Sequence, residues 1–389
     1  MAIEGRSEKA SAKIRLGMVG GGQGAFIGAV HRTAARIDDM YEFVAGALSS
    51  DPERAKASGR ELGLREDRCY GSYEEMAKRE ARLKDGIEAV AIVTPNHVHY
   101  PAAKAFLQRG IHVICDKPLT TTLRDAQKLA ALVEKSGKIF AVTHTYIGYP
   151  IVRQAREMVR NGDLGEIRVI NVRYVQDWLT NPIEDSGHKQ AEWRTDPART
   201  GAGGAVGDIG THAFNMAGFV SGLDAESLSA DLTSFVQGRK VDDNVHVMLR
   251  YPGGARGMLW ASQVAPGNEN GLFLEVYGTK GGLQWSQEDP NYLWFTPFGE
   301  PKRLITRSGA GAGPAAARVT RVPPGHPEGY LEAFAGIYAE AARAIVAARD
   351  GRKPDPEVFF PTIEDGVKGM AFIEACVKSS GKNAAWVTI

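Results

Sequence analysis

The run Ile14–Gly20 reads Ile-Arg-Leu-Gly-Met-Val-Gly, and glycines follow at 20, 21, 22, 24 and 28. A helical pattern begins near Ala29. A strand, a glycine turn and a helix in that order leave few folds open. Without side chains in the turn, an anion can approach the unpaired N–H groups of the helix start. Gly20 and Gly22 take the first two places of a G-x-G-x-x-G pattern, the fingerprint for a dinucleotide pyrophosphate. Ala25 takes the third place, or Gly28 takes it after a longer turn. Gln23, Ala25, Phe26 and Ile27 complete the turn and helix start, and are expected beside such a cofactor.

The next strand, over 43–48, ends in Ser49-Ser50. A carboxylate is usual there to hold the adenosine ribose, and none stands before Asp51. Ser49, Ser50 and Arg54 suit a 2′-phosphate instead, which leans towards NADP and leaves NAD open. Helices over 52–62 and 73–79 follow, then a strand at Ala89–Val93. After it come Thr94, Pro95, Asn96 and His99, and a helix over 100–109. The apolar run 111–115 stops at Asp116-Lys117-Pro118, because Pro118 supplies no N–H to continue a ladder. Thr122, with Asp125 three residues on, caps a helix at Leu123–Ser136. A strand over 139–142 precedes Thr143, His144, Thr145 and Tyr146. This alternation predicts a doubly wound parallel sheet. Asn96, His99, Lys117, His144 and Tyr146 all follow strands, where such sheets bind ligands.

At 389 residues the chain exceeds one ordinary core, so two domains are expected. We place them at 14–148 and 149–389 behind a tail of 1–13, with C-terminal helices able to return to the first. Net charge is +1 and gives no sign of a nucleic-acid or membrane partner. The polar first thirteen residues and the lack of a bilayer-length apolar run point to a cytoplasmic protein. Cys69, Cys115 and Cys376 have no metal spacing; buried free thiols and no metal are expected.

The second half begins with a helix at Pro150–Arg160 and a strand at Ile167–Val175. An irregular polar stretch over 176–207 holds Asp177, Trp178, His188, Trp193 and Arg194; loops of this length tend to be functional. Gly207-Asp208-Ile209-Gly210-Thr211-His212 then enters a helical pattern over 213–220. On a helix Asp208 and His212 share one face, a pairing suited to proton transfer. Residues 229–300 read as an antiparallel meander with Met248, Met258, Trp260 and Phe273 on an uncovered face, which predicts self-association. The stretch 308–317 reads as a flexible loop, and helices are expected over 331–348 and 364–379. Tyr146, Arg173, Asp177, His188 and His326 are the candidates for substrate contact.

The glycine turn, Asp116-Lys117-Pro118, Thr94-Pro95-Asn96 with His99, and Asp208-x-x-x-His212 together resemble the glucose–fructose oxidoreductase / inositol dehydrogenase / rhizopine catabolism (Gfo/Idh/MocA) family. The resemblance implies a Rossmann domain followed by an α+β domain with an open-faced, mostly antiparallel sheet. It implies NAD or NADP as cofactor, and a sugar, polyol or sugar derivative as substrate. It implies that Lys117, Asp208 and His212 hold the catalytic places; Asp116 and His144 are expected near the cofactor, and the open sheet face is expected to give a homodimer or homotetramer. The family's usual Glu-Lys-Pro is here Asp-Lys-Pro, one methylene shorter. Two other functions stay open: a redox-neutral glycoside-cleaving or isomerising enzyme with tightly bound NAD, and a non-catalytic NAD(P) sensor. The intact Lys117, Asp208 and His212 set argues against the sensor.

Overall fold

The computed structural model describes residues 12–389; most of the expected 1–13 tail lies outside the described residues. Two compact units divide the chain. One runs from the first described residue to His144 and adds Phe334–Val367; the other holds Thr145–Ala333 and Lys368–Ile389.

The first unit runs β1 (Ile14–Gly20), α1 (Phe26–Ile37), β2 (Tyr41–Ala47), α2 (Pro52–Glu61), α3 (Tyr73–Glu80), β3 (Ala89–Val93), α4 (Asn96–Leu107), β4 (His112–Cys115), α5 (Leu123–Ser136) and β5 (Phe140–Val142). The strands form a parallel sheet in the order β2-β1-β3-β4-β5. The order reverses direction at β1, which leaves a crevice at the carboxyl ends of β1 and β3. β3 and β4 are buried throughout, as a sheet covered on both faces requires.

Two helix starts differ from expectation. α1 begins at Phe26, three residues early, because the glycine turn closes sooner. α4 begins at Asn96 after Pro95 and carries Pro101 inside it rather than in its first turn. Asn96 and His99 are therefore helical rather than loop residues. Thr122 caps α5 as expected, its hydroxyl accepting the Asp125 N–H.

The second unit holds α6 (Pro150–Arg160), β6 (Ile167–Val175), α7 (Lys189–Arg194), α8 (Pro197–Thr200), α9 (Thr211–Ser221), β7 (Ser227–Thr233), β8 (Asn244–Arg250), β9 (Arg256–Ser262), β10 (Gly271–Gly278), β11 (Gly281–Ser286), β12 (Tyr292–Pro297), β13 (Arg303–Thr306) and α10 (Pro314–Ala317). α11 (Tyr330–Arg349) and α12 (Ile363–Ser380) each have residues in both units, and β14 (Val387–Thr388) ends the chain. The nine-stranded sheet has the order β13-β12-β11-β10-β6-β9-β8-β7-β14. β6 inserts between β9 and β10 and pairs with β9 in parallel, so the expected meander is interrupted. α6 and α9 cover one face. On the other, Met248 and Met258 face each other across β8 and β9 and are 51 % and 59 % exposed.

Residues 308–317 are not loop throughout: Pro314–Ala317 form α10, and Gly313 packs on α6. The Gly313 N–H donates to Gln154 Oε1 at 2.5 Å, and Ala316 is buried. A Cβ at Gly313 would lie 2.4 Å from Glu157 Oε2, so the small residues allow this backbone to sit on α6. All three cysteines are buried and free.

One buried histidine ties the first sheet together. His112 Nδ1 accepts the Ile139 N–H at 2.9 Å, joining the starts of β4 and β5. Burial, then repulsion from Lys138, pulls its pKa down to about 4. The unfolded ring titrates near about 6.5. The stability this ring contributes is therefore fully present above that value and is lost as pH falls towards the folded one. His112→Asn keeps an acceptor near the Nδ1 position and removes the titration. We expect the wild type to lose about 2 kcal/mol more than this variant between pH ~7 and ~5. Urea unfolding at the two pH values measures the difference.

Candidate active site

In the first unit the parallel register sets the site. Gly20 lies beside Val93, Ile92 beside Cys115, and Cys115 beside Val142. The segments that follow, Thr94-Pro95, Asp116-Lys117 and Thr143-His144, thus emerge side by side. The Asp116 N–H donates to Ile92 O, and the Thr143 N–H to Cys115 O.

The glycine turn fits a dinucleotide. Gly20 and Gly21 have φ of 80° and 73°, a region side chains disfavour. A Cβ at Gly28 would lie 2.2 Å from Gly21 O, so Gly28 supplies the close helix-to-turn packing while Ala25 is the residue before α1. A Cβ at Gly22 would lie 2.6 Å from Leu48 O. No side chain caps α1 and no acid stands in its first turn, which suits a pyrophosphate at its N–H groups. Phe26 is 71 % exposed at that helix start, beside the half-buried Ile27. The Gln23 side chain donates to Glu61. Arg54 donates to Gln23 O at 3.0 Å, so it meets the turn from the end of β2. Ser49 Oγ accepts the Asp51 N–H, and Asp51 caps α2. Ser50 is exposed between them.

Asp116 is held from several sides. The Thr143 hydroxyl donates to Oδ1 at 2.6 Å, and His31 Nε2 lies 3.6 Å from the same oxygen. His31 Nδ1 is 2.8 Å from the Tyr338 hydroxyl of α11. Burial alone would raise the Asp116 pKa, but His31, Thr143 and Lys117 outweigh it and bring it down to about 2. Burial and the neighbouring Lys117 charge lower His144 to about 3, so its ring is neutral at ordinary pH. Lys117 is half-buried, and the Lys117–Pro118 peptide is cis.

His99, expected beside the cofactor, lies under the turns that follow β3 and β4. It is fully buried, with Nδ1 2.9 Å from Pro118 O and Nε2 2.8 Å from Thr94 O. Both ring nitrogens engage backbone, so the ring clamps two strand-end turns together. Asn96 is buried beside it in α4.

In the second unit, Val206–Gly210 forms a π-helical turn that runs directly into α9. Such turns are frequent at functional sites. Asp242 fixes its start, accepting the N–H groups of Gly204 at 2.6 Å and Val206 at 2.7 Å. Burial raises the Asp242 pKa to about 6, even against those two donors. The turn presents Asp208, whose Oδ2 receives Gln263 Nε2 at 2.9 Å and Arg194 Nε at 3.2 Å. One turn on, the His212 ring stands edge-on to Tyr146, 4.8 Å between centroids. The Tyr146 and Tyr174 hydroxyls are hydrogen-bonded. Tyr174 donates to Asn270 Oδ1 at 2.7 Å, Gln176 donates to the same oxygen at 2.8 Å, and Trp178 donates to Gln176. Burial pushes both phenols above their ordinary range.

The other expected substrate residues are dispersed. Arg173 neighbours Tyr174 in β6, so its side chain lies on the opposite face of the sheet. It stacks on Phe273 there, away from His212. His188 caps α7, Asp177 accepts the Gly267 N–H, and His326 is exposed in a loop bound by Arg307. His31, Tyr174, Gln263 and Asn270, which also stand in these hydrogen-bonded groups, are not singled out by the sequence, and Arg194 is named there only within the polar stretch over 176–207. Tyr174 was detectable, because alternation along β6 puts it on the helix-covered face.

The first unit has the fold and glycine turn of an NAD-binding Rossmann domain, and the second adds an acid–imidazole pair on one helical turn. That combination defines a class of nicotinamide-dependent oxidoreductases. The chain belongs to the GFO/IDH/MocA oxidoreductase family: its NAD-binding Rossmann fold matches over residues 14–144 and its C-terminal domain over 152–284. An oxidoreductase of known structure from Sinorhizobium meliloti is 62 % identical, with 97 % of this chain and 100 % of that one covered at a TM-score of 0.88. An inositol dehydrogenase homolog from Azotobacter vinelandii, crystallised with NADH and myo-inositol, is 35 % identical, with 97 % and 98 % covered and a TM-score of 0.91. The levoglucosan dehydrogenase of Pseudarthrobacter phenanthrenivorans is 27 % identical over 97 % of this chain and 98 % of its own.

The Thr143 hydroxyl is a donor to a carboxylate that burial would otherwise disfavour. Thr143→Val keeps the shape and removes that donor. We expect a loss of about 1–3 kcal/mol in unfolding free energy at neutral pH, read by urea denaturation.

Proposed function

We propose that the protein is an NAD(P)-dependent dehydrogenase acting on a secondary hydroxyl of a sugar, polyol or sugar derivative. The observation that carries this reading is the turn 206–212, where a carboxylate fixed by two donors precedes an imidazole by four residues. Family membership supports it, and so do the myo-inositol and levoglucosan of its relatives.

Oxidation removes a proton from the hydroxyl oxygen and a hydride from carbon. The nicotinamide, when bound, supplies the hydride acceptor. His212 takes the hydroxyl proton as general base. Lys117 stabilises the developing alkoxide and orients the substrate. Asp208 accepts a hydrogen bond from a neighbouring hydroxyl. Tyr146 backs the imidazole. Gly20, Gly22 and the start of α1 hold the pyrophosphate, while Ser49, Ser50 and Arg54 face the adenosine ribose.

The open sheet face supports a second copy as partner, since Met248 and Met258 are exposed on it with Trp260 and Phe273 half-buried on the same face. Light scattering is expected to give a dimer or tetramer, and Met248→Lys with Met258→Lys a smaller species.

Lys117→Ala and His212→Ala are each expected to lower kcat by about 10²- to 10⁴-fold on a polyol panel, with NADH binding retained. Absorbance of NADH formed from each polyol, with both cofactors tried, reads the loss. Turnover near wild type in either variant removes that residue's role.

A further inference from the structure

Arg194 comes from the irregular stretch before the acid–imidazole turn, and its guanidinium is held from several sides. Nε donates to Asp208 Oδ2, Nη1 donates to Gln190 Oε1 at 2.5 Å, and the group lies 4.2 Å over the Trp193 ring. Nη2 forms no hydrogen bond with the described residues, and the side chain is 23 % exposed. The fork is thus fixed with one donor edge still on offer beside Asp208.

The segment is also anchored from behind. Arg239 donates to both Glu184 oxygens at 2.9 Å, to Asp243 at 3.1 Å and to Leu179 O at 3.0 Å. Leu179 in turn donates its N–H to Gln263 O, and Gln263 is the second donor on Asp208. Protein contacts alone therefore place Arg194 and Asp208 together.

We propose that Arg194 and Asp208 form a paired reader of two adjacent hydroxyls. Arg194 Nη2 donates to one substrate oxygen, and Asp208 accepts from the hydroxyl on the neighbouring carbon. The ion pair cancels its own charge, so it fits an uncharged vicinal diol rather than a carboxylate or phosphate. A planar fork against a carboxylate gives the fixed geometry such reading needs. A substrate lacking one of the two hydroxyls leaves a desolvated partner unpaired, and that is the basis of strong rejection. This inference rests on the proposed dehydrogenase reading and adds a specificity residue to it.

The test uses the full chain with NAD⁺ and NADP⁺, and as probes myo-inositol, levoglucosan and their monodeoxy analogues. For the wild type, kcat/KM should fall at least about 100-fold when the hydroxyl next to the oxidised carbon is missing. Arg194→Met should compress that ratio to below about tenfold, with NADH binding and melting temperature near wild type. If the Met variant loses its fold, Arg194→Gln takes its place. Arg194→Lys should restore little of the discrimination, because an ammonium lacks the planar fork. Unchanged discrimination in the Met or Gln variant, or full restoration by Lys, overturns the inference and leaves the dehydrogenase reading standing. A wild type that oxidises none of the probes overturns both.

Discussion

Parallel hydrogen bonding between β1, β3, β4 and β5 is the constraint on which the nucleotide-binding unit depends. Evenly spaced ladders end at one level, so the glycine turn, Thr94-Pro95, Asp116-Lys117 and Thr143-His144 share one edge. No side-chain contact is needed to bring them there. Side chains then fix the turns: His99 bridges Thr94 and Pro118, and His31 and Thr143 converge on Asp116. Asp116 stands where the family usually has glutamate. Here its partners reach it, and burial is outweighed by the charges and donors around it.

The second unit uses a different device. The acid–imidazole pair, Asp208 and His212, lies on a helical turn, and a buried acid fixes where that turn starts. Asp242 holds Gly204 and Val206, while its neighbour Asp243 holds Phe235, Val236 and Arg239. Two consecutive carboxylates thus set the position of both the acid–imidazole turn and the polar segment before it. The sheet below sorts residues by parity. Tyr174 joins the hydrogen-bonded group behind His212, while Arg173 stacks on Phe273 across the sheet.

Much of the fold was legible because it follows local rules. The 2.0 and 3.6 periods located most strands and helices, and Thr122, Pro52 and Pro150 marked helix starts. Errors fell where a distant partner decides. A proline inside α4 is tolerated because tertiary packing offsets one lost bond. The glycine- and alanine-rich stretch ends in a short helix and packs on α6, whose surface only small residues approach closely. β6 enters between β9 and β10, a pairing more than 80 residues distant in sequence that no local pattern encodes.

By itself the sequence determined the classes of element, the glycine turn and the positions of Lys117, Asp208 and His212, because spacing along the chain carries that information. Tertiary structure alone decided which groups surround them. It made His99 a buried clamp, brought His31 to Asp116 and placed Arg194 and Gln263 on one oxygen of Asp208. Hydrogen bonds between residues far apart in the chain act only after strands and helices have packed, and composition and periodicity leave no trace of them.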